Sequence, residues 1–462
     1  MSTENFLEWD IETLSNAFAS RTLSPVEVTE KLLANIQKDN ELSNTYITVL
    51  TEKARQAAKQ AEIEIQQGRI KSIFHGVPIA IKDLIDTKDI RTTMGSRIFK
   101  DRIPGEDATV VTKLKEAGAI IIGKTNTHEF AYGASGDRSY FGSPVNPFNP
   151  KKMPGGSSSG SGVALAKNLC YAALGTDTGG SIRIPASYMG IVGMKPSYGR
   201  VSKYGVFPLA WTLDHVGPMT RSVKDNALLL NVLVGQDKRD AFALPDATED
   251  FTRFLNTGIE GTSIGVLELS GFVENEVRMQ FEQAIQHFQQ LGAMIRVIKV
   301  EEYDALLAAF RTTMQAEAYA VHTTNIKNYP DGWDAEVKER IVSGVTVTAK
   351  DYIEAQLLKR QMIQTYTEFF RDLDVIITPT VPIVAADVNQ RIVQVNGIEY
   401  PIGLVLNHYT GPLNLTGFPA LSLPIGISTS GLPIGLQIIG RPLSEANIYR
   451  FAMALESVIN NN

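Results

Sequence analysis

From Gly76 onward the chain alternates short apolar runs with segments of helical periodicity, and that alternation limits the folds open to it. The runs GVPIAI (76–81), AIIIG (119–123), IGVLEL (264–269), MIRVIKV (294–300) and DVIITP (374–379) are short, rich in β-branched residues and bounded by turn or charged residues, so they read as strands. Between them VVTKLKEAG (110–118), VKDNALLLNVLV (223–234) and MQFEQAIQHFQQLG (279–292) read as helices. Strands interleaved with helices predict an α/β protein whose sheet is covered by helices on both faces. No Pro/Ser-rich linker, low-complexity tract or repeat interrupts the pattern, which predicts a single domain over residues 1–462.

Residues 1–70 read as a helical N-terminal arm within that domain. Ser24-Pro25-Val26-Glu27 has the form of a helix start, with Ser as N-cap, Pro at the first helical position and Glu closing a capping box. Val28, Leu32 and Ile36 follow on one face, and a second helix is expected over about Val49 to Gln67.

Composition narrows the function classes. The 462 residues are 44% hydrophobic and 20% charged, enough apolar material for a large core. A net charge of −6 offers no basic footprint for nucleic acid or anionic lipid. The lone cysteine, Cys170, excludes an intramolecular disulfide and suits a reducing compartment. No secretory signal and no apolar run of membrane-spanning length is visible, so a soluble cytoplasmic protein is expected.

Chemistry concentrates between Pro154 and Ala186, where PGGSSSGSG and TDTGGSIRIPA flank an apolar stretch. Two hydroxyl nucleophiles and two glycine-rich rows of backbone N–H groups are what acyl transfer requires: an attacking oxygen and donors for the oxyanion it creates. The missing base is offered by Lys82, at the end of GVPIAIK. Burial among Val77, Ile79, Ile81 and Leu84 is expected to lower its pKa. Asp83 and Asp86 would oppose that if they faced it, and strand alternation turns Asp83 away. In GTDTGGS the two glycines allow a tight curl before Ser181, and Ile182 to Tyr188 read as a short helix.

Lys82 in GVPIAIKD, Ser157 in PGGSSSGSG and Ser181 in GTDTGGSIRIPA, spaced by 75 and then 24 residues, resemble the Ser-cis-Ser-Lys triad of the amidase signature family. SPVEV, GAIIIGKTNTHEFAYG, GMKPSYGRVSKYGV, DVIITPT and GFPALSLPIG extend the resemblance over nearly the whole chain, least distinctly between Ala241 and Val347. The resemblance implies one mixed central sheet wrapped by helices. It implies Ser181 as nucleophile, Ser157 after a cis peptide bond as proton relay, and Lys82 as base. Thr178, Gly179 and Gly180, with Ser181, would supply oxyanion-hole N–H groups, each such donor being worth about 3–4 kcal/mol. Ser158 and Thr176 are expected to hydrogen-bond the relay, and Asp177 and Arg183 to brace the nucleophile loop as an ion pair. Tyr132, Tyr204, Phe207 and Trp211 are candidates for apolar pocket walls.

Two positions depart from the family pattern. Ser159 stands where the loop usually has glycine, which would strain the backbone if that position needs positive φ. Ile184 stands where many amidotransferase A-subunits have glutamine, which favours a free-standing amidase. Two other motifs lead nowhere. Gly118 to Thr125 satisfies the P-loop pattern, but its middle is itself a strand. Gly156 to Gly160 satisfies GxSxG, which would make Ser158 a nucleophile with His215, His322 or His408 as partner. A proline-rich loop precedes it instead of a strand. The histidines show no ligand spacing, so no metal is expected.

The sequence therefore predicts an amidase that hydrolyses a small-molecule carboxylic amide to acid and ammonia or amine through an acyl-enzyme, without cofactor and without binding nucleic acid directly. The alternative is the A-subunit of a glutamine-dependent tRNA amidotransferase. For that reading, Arg340 in EVKERI resembles an arginine near the glutamine carboxylate.

Overall fold

A computed structural model describes residues 3–245, 248–269 and 272–460. The strands, in chain order, are β1 (Tyr46–Val49), β2 (Pro78–Lys82), β3 (Ile120–Thr125), β4 (Ala172–Asp177), β5 (Val192–Lys195), β6 (His215–Thr220), β7 (Ser263–Leu267), β8 (Met294–Ile298), β9 (Val375–Pro379), β10 (Ile392–Val395), β11 (Ile398–Pro401), β12 (Ala420–Ile427) and β13 (Pro433–Ile439). Among the described residues, eleven form one sheet in the order β1-β3-β2-β4-β6-β5-β12-β13-β9-β7-β8, while β10 and β11 pair as a separate hairpin.

The sheet is mixed, as expected. β3, β2 and β4 are parallel neighbours, as are β9, β7 and β8, and the strands between these groups pair antiparallel. Every residue of β2, β3, β4, β6 and β9 is buried, which requires cover on both faces and explains the apolar runs that open β2, β3 and β9. β8, at one edge, has only exposed and half-buried positions.

The arm differs from its expectation. Helices Ile11–Ala19, Pro25–Ser43 and Thr51–Gln66 are present, and Ser24 caps the second through a complete capping box. The third helix, however, begins two residues after Val49, because Tyr46–Val49 is extended and pairs antiparallel with β3. The arm thus contributes an edge strand. Ile11, Leu14, Phe18, Val28, Leu32 and Ile36 join the same apolar core as the sheet strands.

Candidate active site

Lys82 closes β2, and Thr176 and Asp177 close β4 beside it, so all three emerge at the carboxyl edge of parallel strands, where α/β sheets place their sites. The long loop after β3 returns to that edge and delivers Ser157 and Ser158 just before the helix Ser159–Ala166, whose chain runs on into β4. Ser181 sits in the turn from β4 to the helix Arg183–Tyr188. Residues distant in sequence meet here because the ends of β2 and β4 and the loop after β3 come to one place.

The Lys82 side chain is fully buried. Its Nζ donates to Ser157 Oγ at 2.7 Å, Ser158 Oγ at 2.9 Å and Thr176 Oγ1 at 2.7 Å. Burial pushes its pKa well below the usual lysine value, and the carboxylates of Asp177 and Asp214 oppose that only in part. Asp83 faces elsewhere: its carboxylate accepts from the Thr93 N–H at 2.8 Å and pairs with Lys124 at 3.4 Å. Asp86 is held by Arg102.

The peptide bond between Gly156 and Ser157 is cis. Ser159 is the first residue of its helix and has no positive φ, so the serine in place of glycine introduces no backbone strain. Instead Gly136 makes the close approach: a Cβ built there would lie 2.4 Å from the Gly155 carbonyl oxygen.

Asp177 organises the nucleophile turn. Its carboxylate accepts the N–H groups of Gly180 at 2.7 Å and Ile182 at 3.1 Å, and pairs with Arg183 at 2.9 and 3.0 Å, both side chains being fully buried. Burial raises the Asp177 carboxyl, but the Arg183 guanidinium outweighs it, with help from Lys195 and Asn414, and holds the group below the usual carboxylate range. Arg183 also reaches Gln437 Oε1 at 2.6 Å, the Thr410 carbonyl at 3.1 Å and Asn414 Oδ1 at 2.7 Å. Because the Gly180 N–H is engaged by Asp177, it is not free to meet an oxyanion. Thr178 donates its hydroxyl to Asp214 at 2.6 Å, and burial raises the Asp214 carboxyl to about 6.

Ser181 opens onto a cavity of about 630 Å³ that Tyr132, Thr178 and Gly179 also line. Tyr204, Phe207 and Trp211 line a neighbouring cavity of about 360 Å³, which shares Ala131, Thr178 and Leu209 with the first. The candidate walls therefore divide between two spaces. Sequence reasoning did not single out Arg311, Met314 and Gln315, which line the Ser181 cavity from the helix Tyr303–Asn328. Their spacing on one helical face was readable, but nothing in that face said which cavity it would meet.

The nominated histidines lie apart from Ser158. His215 contacts Lys195 at 3.2 Å, His322 packs on Phe130 and Trp333, and His408 packs on Phe272. Among the described residues no helix is long and apolar enough to cross a membrane.

The family model described as Amidase matches residues 27–449. The glutamyl-tRNA(Gln) amidotransferase A-subunit of Geobacter sp. (strain M21) is 38% identical, covering 96% of each chain. A solved structure from a vestigial protein complex tied to the evolutionary origins of an s-triazine catabolic enzyme superposes with a TM-score of 0.93 at 30% identity, covering 97% of this chain and 98% of that one. The crystal structure of the glutamyl-tRNA(Gln) amidotransferase A-subunit from Thermotoga maritima superposes with a TM-score of 0.82 at 34% identity, covering 99% and 96%. With a lysine and two serines converging at one sheet edge and matches spanning both chains, this protein belongs to the amidase signature family, enzymes that act on amide C–N bonds.

Proposed function

We propose that the protein hydrolyses a carboxylic amide to acid and ammonia or amine, with Ser181 as nucleophile, Ser157 as proton relay and Lys82 as base. The observation that carries this reading is the buried Lys82 nitrogen within 2.9 Å of three hydroxyl oxygens. A neutral amine has two hydrogens and one lone pair, so one of those hydroxyls gives a proton to it. Ser158 directs its own hydrogen to the Thr176 carbonyl at 3.2 Å, which leaves Ser157 and Thr176. Between these two, the family resemblance assigns the relay to Ser157.

Ser181 Oγ attacks the carbonyl carbon as its proton moves through Ser157 to Lys82. The oxyanion is met by the N–H groups of Thr178, Gly179 and Ser181. Lys82 returns the proton to the leaving nitrogen, the C–N bond breaks, and water repeats the sequence on the acyl-enzyme. Ser158, Thr176, Asp177 and Arg183 position these groups. Residues 1–462 act as one catalytic domain in this reading, supported by the continuity of core from the arm to the sheet.

Two destinations for the ammonia have different support. The sequence relatives, named as amidotransferase A-subunits, favour a component that passes ammonia within a complex, over the stand-alone amidase that the sequence puts first. Ile184, fully buried against the Gly180 turn, is the observation that keeps the stand-alone enzyme. Ammonia release by the purified chain alone, over aliphatic, aryl and amino-acid amides including glutamine, tests both. Turnover that disappears in Ser181→Ala supports a stand-alone serine amidase. Turnover that survives in Ser181→Ala refutes the nucleophile. Turnover of glutamine only when partner proteins are added gives the amidotransferase reading.

A further inference from the structure

The helix Tyr303–Asn328 crosses the nucleophile turn with Phe310 against Gly179, where a built Cβ would lie 2.6 Å from the Phe310 ring. The next residue, Arg311, lines the Ser181 cavity, and Met314 and Gln315 continue that face at the third and fourth positions on. Arg311 is half-buried, and among the described residues its guanidinium has neither a hydrogen bond nor an ion pair. Burial lowers its pKa, and the carboxylate that opposes this, Asp304, lines a separate depression with Glu268 and Glu301.

The other charges around the cavity are already matched. Arg391 pairs with Asp137 at 2.9 Å and with Glu336 at 2.8 Å. Arg340 pairs with Glu336 and donates to the Tyr132 carbonyl at 2.9 Å. Glu336 also takes Arg138 at 3.1 Å. The remaining acid on the lining, Glu339, is exposed to solvent. The cavity therefore presents one unsatisfied, partly desolvated guanidinium and no buried carboxylate free of arginine. Such a cation is costly to hold without a partner, and its planar fork matches a carboxylate in two-point contact.

We propose that Arg311 is a specificity-determining residue that binds a carboxylate on the amide substrate, and that this substrate carries no ammonium group. The inference rests on the reading of Ser181 as nucleophile, since Arg311 is placed relative to that residue's cavity. An ammonium beside the carboxylate would meet the unmatched Arg311 charge with no buried carboxylate free of arginine to offset it, so the cavity selects against it.

Three probes isolate the two charges. Glutaramate carries the carboxylate alone, glutamine adds the α-ammonium, and hexanamide is neutral and of similar length. We expect kcat/KM for glutaramate to exceed that for either other amide by about tenfold or more. Arg311→Gln should lower the glutaramate value by about tenfold, through KM, and change the hexanamide value by less than about twofold. Arg311→Lys should restore part of the preference, which a folding defect would not do. Equal losses on both substrates, or glutamine used as well as glutaramate, would overturn the proposal.

Calorimetric titration of glutaramate into Ser181→Ala, with and without Arg311→Gln, reads the anion site apart from the chemistry. Residual turnover in Ser181→Ala sinks the nucleophile assignment only. Glutaramate that fails to bind Ser181→Ala, or binds regardless of Arg311→Gln, sinks the carboxylate assignment.

Discussion

The backbone N–H of Ser158 donates to the carbonyl oxygen of Ser181 at 3.2 Å, so the two serine-bearing turns are joined through main chain. Side-chain changes at Ser157 and Ser158 leave that bond in place, which makes the pair a clean test of relay against support. Ser157→Ala is expected to lower kcat by about 10²–10⁴-fold, the range for loss of a positioned proton-transfer group. Ser158→Ala should cost about tenfold, since it removes a hydrogen bond to Lys82 but not the relay. Steady-state kinetics with matched circular dichroism spectra decide it, and equal losses would refute the assignment.

Lys82 must be neutral to accept a proton, and burial holds its pKa well below the usual lysine value of 10.5. The sign follows directly. Below the depressed pKa the amine is charged and inactive, so kcat/KM should climb with rising pH through that value and then level off. Lys82→Arg keeps a cation near the same hydroxyls but cannot deprotonate in this range, so it should lose about 10²–10⁴-fold at every pH and flatten the limb. A pH–rate profile that is unchanged in shape by Lys82→Arg would rule the base out.

Asp177 and Arg183 are both fully buried, and removing one leaves the other uncompensated. Arg183→Met should destabilise the fold by about 3–5 kcal/mol in chemical denaturation, and Asp177→Asn by a similar amount. The double variant should lose clearly less than the two losses added together. The Asp177 carboxyl is depressed in the fold relative to its ordinary 3.8, so its stabilisation is complete above that pH and is lost as pH falls through the folded value. Asp177→Asn should therefore show a shallower loss of stability in acid than the parent. Full additivity would mean that the pair does not act as one unit.

Gly180 has φ +122°, and a Cβ built there would lie 2.4 Å from Thr410 Oγ1 and 2.6 Å from Ile184 Cδ1. Gly180→Ala therefore meets both a disfavoured backbone region and a filled space. A fall in kcat of about 10²-fold is expected, in line with displacement of the neighbouring oxyanion donors, with KM changing much less. A fall confined to KM would place the damage in binding instead.

The local signals that survive into the structure are those with a local cause. The capping box at Ser24, the fully buried strands β2 and β9, and glycine turns around Ser157 and Ser181 each follow from a few neighbouring residues. Tyr46–Val49 was hidden because four residues between two helices carry too little pattern to announce an edge strand. The Asp177 hold on the Gly180 N–H was hidden too, since sequence does not say which N–H a carboxylate will take. Arg311 is the clearest case. Its helix is legible, but its value as an unmatched charge depends on Arg340 and Arg391 being matched by Asp137 and Glu336, residues drawn from distant loops and helices.

Arg183 ties the nucleophile turn to Thr410, Asn414 and Gln437, all in the last eighth of the sequence. A growing polypeptide has Ser181 in hand long before those anchors leave the ribosome. Until they do, Arg183 has Asp177 as its side-chain partner, and the turn lacks the contacts that hold it to the far half of the sheet. The geometry of the Ser181 turn is thus set by segments translated well after it, beyond its own local sequence.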